Sequence, residues 1–393
     1  MRDLRHTLAV ASLCGSLFPL CCGPALADPC PGPARAVFPA AEAAGGWRAR
    51  TDEIKTKRAA EITALEDFAF KLLGSDSERK GARTDSVLIV AGGAVVYEKY
   101  ARGFTPTMRH YAWSVTKSFT NALVGVAVAR GALTIDASIC RFIDLPRQEN
   151  CAITVQNLLE FSSGLAWTEV YEDKSNQSSS VLAMLYGVGS RDMGGFVAGH
   201  ARRAPPGTTY MYSTGDATLL AAVVDRAMKP VHGDDYPWTL LFEPLSMSSV
   251  VFERDARGTH VGGSFVWATP RDFARFGYLF LNDGCWEGKR YLPEGWVRDS
   301  VAVSNPFKLH PLENEPDDVQ GRQFWLNRPV PEQKVTTPWP GVPEDAYAAR
   351  GHWGQSITVV PSLDLVIVRT ADDREKGFDF PKFLALAVAV GRQ

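Results

Sequence analysis

Three short stretches of this chain hold residue types that can do covalent chemistry. In YAWSVTKSFTNALVGVAVARG, Tyr111 to Gly131, Ser114 and Lys117 form a Ser-x-x-Lys pair. A serine hydroxyl is a weak nucleophile until a base takes its proton, and a lysine becomes such a base once burial or a nearby positive field disfavours its ammonium form. In PPGTTYMYSTGDATLL, Tyr212-Ser213 follows Pro206-Gly207 and precedes an apolar run. In GHWGQSITVVP, His352-Trp353-Gly354 opens a run of strand character. Each is weak alone. Tyr212 can equally be a packed core tyrosine and His352 a turn histidine.

The chemistry depends on the elements that position these groups. After Ser114 come Phe119, Ala122, Leu123, Val126 and Ala127, apolar at helical spacing, and the run stops at Gly131, a fitting C′ residue. Ser114 is therefore predicted to open a buried helix, whose first turn carries unpaired N–H groups and the positive dipole end, with Lys117 on the same face. The plainer alternative is an N-cap serine followed by a snorkelling lysine. The chain also contains decoys. Ser77 and Lys80 repeat the spacing inside GSDSERKGARTD, a polar stretch that reads as a solvated loop; Tyr210 and His260-Val261-Gly262 imitate the second and third stretches.

Around these, TDEIKTKRAAEITALEDFAFKLLG is predicted as a helix ending at Gly74, and SVLIVAGGAVVYEKY as a β-hairpin turning at Gly92-Gly93. From there to about residue 262 the pattern is helix and long loop, including polar Lys174 to Ser180 as a candidate mobile lid. Strand character returns in RQFWLN, Arg322 to Asn327, then in SITVVP and LDLVIVRT, separated by a turn at Ser362; FPKFLALAVAV reads as a closing helix. Strands from both chain ends with helices between them predict one sheet, an α/β lobe over about 50–113 and 263–393, and a helical lobe over about 114–262. Catalytic groups would lie between the lobes.

The order of the three stretches, Ser-x-x-Lys, then Tyr-Ser, then a basic residue-x-Gly on a late strand, resembles the serine β-lactamase and penicillin-binding superfamily. Within it the chain looks most similar to the class C-like esterase branch and to 6-aminohexanoate-dimer (nylon oligomer) hydrolases. LTIDASICRFIDLP, ITVQNLLEFSSGLAWTEVYED, PPGTTYMYS, GGSFVWATPRDFARFGYLFLNDGCWEGKRYLPEGW and PSLDLVIV support the resemblance. It implies an α/β (α+β) β-lactamase/transpeptidase-like fold, an antiparallel sheet flanked by helices with an all-helical insertion lobe. It also implies Ser114 as nucleophile, Lys117 as its base partner and Tyr212 as proton shuttle to the leaving group. The oxyanion hole would be the backbone N–H groups of Ser114 and Gln355, and His352, Trp353 and Gly354 would line the substrate site.

Two departures bear on substrate. Tyr212-Ser213-Thr214 stands where penicillin-recognising members usually have Tyr-x-Asn, removing an amide that orients substrate and lysine. His352-Trp353-Gly354 stands where they have Lys-Thr-Gly, replacing a fixed cation and a small hydroxyl with a titratable imidazole and a bulky indole. Both weaken a dedicated β-lactamase reading. The expectation is a serine hydrolase of small esters or linear amides working through a Ser114 acyl-enzyme. A DD-peptidase or β-lactamase-like activity is the enzymatic alternative, and a catalytically silent binding protein the other. Trp113, Trp353 and Trp167 are candidate walls of an apolar acyl pocket, with core burial an equal reading for Trp167.

Bulk properties agree with a small-molecule enzyme. A formal net charge of -2 without blocks of like charge argues against nucleic acid or an anionic membrane surface as partner. The first residues, MRDLRHTLAVASLCGSLFPLCCGPALADPC, have a basic start, an apolar run and Ala25-Leu26-Ala27, the pattern of a secretory signal peptide cleaved after Ala27. No other stretch reads as membrane-spanning, so a periplasmic or secreted protein is expected. The mature chain, 28–393, would keep Cys30, Cys140, Cys151 and Cys285 in an oxidising compartment. Cys140 and Cys151 flank a short loop and are the expected disulfide; Cys30 and Cys285 offer rival pairings. No metal-ligand spacing and no cofactor motif is present, and no heptad or repeat indicates an oligomeric state.

Overall fold

The computed structural model describes residues 30, 37–75, 77–171, 179–309, 319–375 and 377–392. The expected signal segment 1–27 and residues 174–178 of the expected lid lie outside these. The strands, in chain order, are β1 (Arg48–Ala49), β2 (Thr84–Ala91), β3 (Ala94–Tyr100), β4 (His110–Tyr111), β5 (Val251–Phe252), β6 (Val266–Ala268), β7 (Cys285–Trp286), β8 (Lys289–Arg290), β9 (Trp325–Leu326), β10 (Tyr347–Gly351), β11 (Gln355–Val360) and β12 (Leu365–Ala371).

Seven of them form one sheet in the order β1-β3-β2-β12-β11-β10-β9, antiparallel except for β1 on β3. Both chain ends thus contribute to it, as the strand pattern predicts. The β2–β3 hairpin turns at Gly92 and Gly93, with φ of 57° and 72°. Consecutive positive φ values match the twist of the flanking strands and suit glycine. Every residue of β2 is buried, because helices cover both faces of the sheet. Leu88 and Val90 enter the core that holds Phe119 and Phe276, whereas Val87 and Ile89 enter the one that holds Phe383 and Leu384. The helix Pro270–Leu281 lies on the first face; Phe380–Gly391 and Ala59–Ala69 lie on the second.

Several boundaries differ from the sequence expectation. The first long helix is two, Thr51–Lys57 and Ala59–Ala69, broken at Arg58 (φ −126°, ψ 32°), and Gly74 lies in the turn beyond. The halves meet different partners, the first β3 and the second the closing helix. RQFWLN shrinks to β9, since Gln323 has φ 68° and cannot continue a strand. The turn before β12 is a short 3-10 turn at Pro361–Leu363, with Asp364 rather than Ser362 in the left-handed conformation. Strand β10 was hidden by its small residues, and the sheet β4-β6-β5 by strands of two or three residues.

Between β4 and β5 the described residues form helices and loops, dominated by Val115–Ala129 and Thr214–His232, which pack against each other. Ser179 caps the helix Ser180–Tyr186, so the end of the expected lid is the start of a helix. Among the described residues there are two disulfides. Cys140–Cys151 closes its short loop with Cα atoms 5.2 Å apart, and Cys30–Cys285 ties the N-terminal segment to β7 with Cα atoms 6.0 Å apart. Among the described residues, no helix is long and apolar enough to cross a membrane.

Candidate active site

Ser114 is the N-cap of the helix Val115–Ala129 and is nearly buried. The residue before it, Trp113, has φ 49°, a left-handed conformation that a bulky side chain adopts at a cost of order 1–3 kcal/mol. The surrounding structure enforces this sharp entry into the helix. Lys117, one turn in, is completely buried. Its Nζ donates to Ser114 Oγ at 2.8 Å, Thr214 Oγ1 at 2.9 Å and the Gly263 carbonyl at 2.9 Å, and lies 4.9 Å from the centre of the Tyr212 ring. Burial pushes the ammonium down to about 7, with the Glu169 carboxylate opposing part of that shift. The snorkelling alternative is therefore excluded.

Thr214 opens the helix Thr214–His232, and Ser213 caps it by accepting from the Asp216 N–H at 2.9 Å. The threonine hydroxyl accepts from Lys117 and donates to Glu169 Oε1. Glu169 also accepts from the Thr214 N–H at 2.9 Å, the Tyr171 hydroxyl at 3.0 Å and the Trp167 indole N–H at 2.5 Å. The loop carrying Glu169 and Tyr171 is further tied to the helix start by Asp216, which accepts from the Ser163 hydroxyl at 2.8 Å and whose carboxyl is pushed up to about 7 by burial. The departure from Tyr-x-Asn thus leaves the lysine with a side-chain partner: a hydroxyl stands in for the amide.

On the opposite side, His352–Gly354 forms a single turn joining β10 to β11. Gly351, the last residue of β10, approaches Ser114 closely. A Cβ there would sit 2.4 Å from the Ala112 carbonyl oxygen and 3.2 Å from the Ser114 nitrogen, so only glycine lets the strand come this near. Gln355 begins β11, and its side-chain amide fixes it by donating to the Ala371 carbonyl at 2.5 Å and accepting from the Ala371 N–H at 3.0 Å. Trp353 has φ 60° and meets Trp113 edge-to-face at 5.0 Å; the His352 ring stacks on Tyr171 at 5.2 Å.

Ser114, Lys117 and Tyr212 are thus brought together, with the β10–β11 corner beside the Ser114 N–H. His352 and Trp353 line that corner with Trp113. Trp167 does not line it: at 2 % exposure it is a core residue whose indole holds Glu169. The decoys are structural. Ser77 and Lys80 are exposed, Tyr210 is buried, and His260 is buried with its Nδ1 2.7 Å from Asp225. Glu169, Tyr171 and Gly263 are residues that sequence reasoning did not single out, and Thr214 it named only as the position of a missing amide. Glu169 and Tyr171 lay within a stretch supporting the resemblance, but nothing in their local pattern links them to a lysine far away in the chain. Among the described residues, no three His, Cys, Asp or Glu side chains come together as a metal ion would need.

A serine at a helix start, a desolvated amine, a phenol and a glycine-edged strand are gathered at one place, and the family comparison says what kind of chain carries them. The Beta-lactamase family profile matches residues 68–390, and the chain belongs to that family. A curated relative, the 6-aminohexanoate-dimer hydrolase of Paenarthrobacter ureafaciens, is 25% identical over 324 residues, covering 78% of this chain and 77% of its own. Among solved structures, a Bacillus anthracis protein carrying the 6-aminohexanoate-dimer hydrolase assignment superposes with a TM-score of 0.63 at 21% identity, covering 82% of this chain and 84% of its own. A penicillin-binding protein homologue from Caulobacter crescentus superposes with a TM-score of 0.58 at 15% identity, covering 84% and 96%. These structural likenesses establish the fold.

Proposed function

We propose that this protein is an exported serine hydrolase that cleaves small esters or linear amides through an acyl-enzyme on Ser114. The observation that carries the reading is the fully buried Lys117 amine, 2.8 Å from Ser114 Oγ and pushed down to about 7. Above that pH the amine is neutral and takes the hydroxyl proton as Oγ attacks the carbonyl carbon. The resulting oxyanion is held by the N–H groups of Ser114 and Gln355. The Tyr212 phenol, against the lysine, passes a proton to the departing alcohol or amine, and water then releases the acid from Ser114 by the reverse sequence. The amide-hydrolysing relative supports the linear-amide half of this reading. The two disulfides and the N-terminal signal pattern support export.

A phosphonate ester probe followed by mass spectrometry tests the reading: the adduct is expected on Ser114, with a labelling rate that rises through a pKa of about 7 as Lys117 loses its proton. An adduct elsewhere, or none, overturns it. The His352-Trp353 corner puts an imidazole and two indoles where relatives of this class hold a carboxylate with a fixed cation. The kcat/KM for a short-chain aryl ester is therefore expected to exceed that for a chromogenic cephalosporin by at least about tenfold. A preference for the cephalosporin would favour the β-lactamase-like alternative.

Gly351 gives a further test. In the Gly351→Ala variant the β10 edge must retreat from Ser114, separating the two oxyanion N–H groups, and kcat/KM for the aryl ester is expected to fall about a hundredfold. Circular dichroism checks that the fold persists; an unimpaired variant would show that the strand edge does not set the oxyanion geometry.

A further inference from the structure

The small sheet β4-β6-β5 turns one face inward and one outward. His110, Ala268 and Phe252 are buried on the inner face. Their neighbours in the strands, Tyr111, Trp267 and Val251, occupy the outer one, and the register places Val251 opposite Trp267 and Trp267 opposite Tyr111. The Tyr111 and Trp267 rings are stacked at 4.5 Å, and Tyr111 meets Trp113 at 4.3 Å. Trp113 is the residue before the nucleophile. A row of aromatic and aliphatic side chains therefore runs across three strands from exposed Val251 to Trp113, with the Glu253 carboxylate beside it accepting from the Trp267 indole N–H at 2.6 Å. Two inter-strand spacings across the sheet and two residues along the chain, at right angles, make its span roughly 12 Å. Phe265, 5.7 Å from Tyr111, and Tyr186, 56% exposed and 6.2 Å from Phe265, border it.

Such a surface is costly to leave in water, and two features say what covers it. It is continuous with Ser114 through Trp113, while the Tyr212 ring packs against a different set of aromatics, Phe161 at 5.0 Å and Trp325 at 5.5 Å. The leaving group takes its proton from Tyr212 and departs on that side. The other substituent of the carbonyl is thereby directed along Trp113. We propose that the outer face of β4-β6-β5 is an extended acyl subsite, and that the substrates are linear esters or amides whose acyl arm is a long apolar chain. This rests on the serine hydrolase reading above and adds the substrate class to it. The line of ring edges, Trp113 tilted on Tyr111 and Tyr111 stacked on Trp267, suits an unbranched methylene chain laid along it.

The test is a series of p-nitrophenyl esters from acetate to decanoate, kept below their critical micelle concentrations. With wild-type enzyme kcat/KM is expected to rise at least about tenfold along the series, since each methylene laid on the row leaves water. Trp267→Ala is expected to lower the decanoate value at least about fivefold more than the acetate value. Val251→Asp, a surface change at the far end, is expected to act on decanoate and butyrate in the same unequal way should the tryptophan variant fold poorly. A flat wild-type series, with acetate turned over through Ser114, overturns the subsite and leaves the hydrolase reading standing. A rise that survives both substitutions overturns its placement on this face. No Ser114-dependent turnover of any ester overturns the hydrolase reading and the subsite with it.

Discussion

Lys117→Met is expected to reduce ester turnover by about a thousandfold or more while making the stability of the protein less dependent on pH. The activity loss follows from geometry: the buried Lys117 amine lies 2.8 Å from Ser114 Oγ, so the variant removes the base the hydroxyl would use. The stability effect follows from burial. A lysine with an ordinary value of 10.5 is held at about 7 in the folded protein, chiefly by desolvation. Between those values the unfolded chain binds a proton that the folded one does not, so stability rises with pH across that window. Above about 10.5 the amine is neutral in both states and carries no penalty; as pH falls to about 7 the penalty grows to several kcal/mol, and below that it is constant. Methionine removes the titrating group. Denaturant melts of both proteins from pH 7 to pH 10 should show wild type gaining on the variant throughout. The absolute offset also contains the loss of a donor to the Gly263 carbonyl and the Thr214 hydroxyl, but the slope does not. Equal slopes would mean that Lys117 is charged in the folded protein at neutral pH and that Ser114 is activated some other way.

The part of the site legible in the sequence is the part built locally. Ser114 and Lys117 share one helical turn, so their spacing together with the apolar run after them specified both the helix and the meeting of the side chains. Tyr212 was legible through its order relative to the other two stretches. The second layer was not. Thr214 reaches the lysine, and Glu169 and Tyr171 reach Thr214, only because the helix Thr214–His232 packs on the helix Val115–Ala129 and the loop after Trp167 meets its start. The sequence expectation treated Thr214 as a lost amide, yet its hydroxyl both accepts from Lys117 and donates to Glu169, which local composition cannot reveal. Among the strands, the branched runs at β2, β11 and β12 were clear, being long and buried on both faces. β10, YAARG, has neither branched residues nor alternation, and its last residue is the glycine that the close approach to Ser114 requires.

Ser114→Ala is expected to abolish covalent labelling and to lower turnover by about a thousandfold or more, whereas Ser77→Ala changes neither. The two serines have the same spacing to a lysine, which makes the pair a test of environment rather than of motif. Ser77 is exposed and hydrogen-bonds to the Ser75 hydroxyl at 2.9 Å, and Lys80 is exposed with its amine 3.5 Å from Glu78, so the pair lacks the burial that Lys117 has. Ser114 sits at the positive end of a long helix, beside a lysine without solvent contact, and faces the β10–β11 corner. In the alanine variant the backbone N–H groups of positions 114 and 355 keep their places, so a polarised carbonyl can still be attacked slowly by water. The residual rate should then be insensitive to phosphonate and should lose its dependence on the group titrating near 7, because the lysine has no hydroxyl to deprotonate. Residual turnover that remained phosphonate-sensitive would place the nucleophile elsewhere, and unchanged labelling of the Ser114 variant would end the serine mechanism altogether.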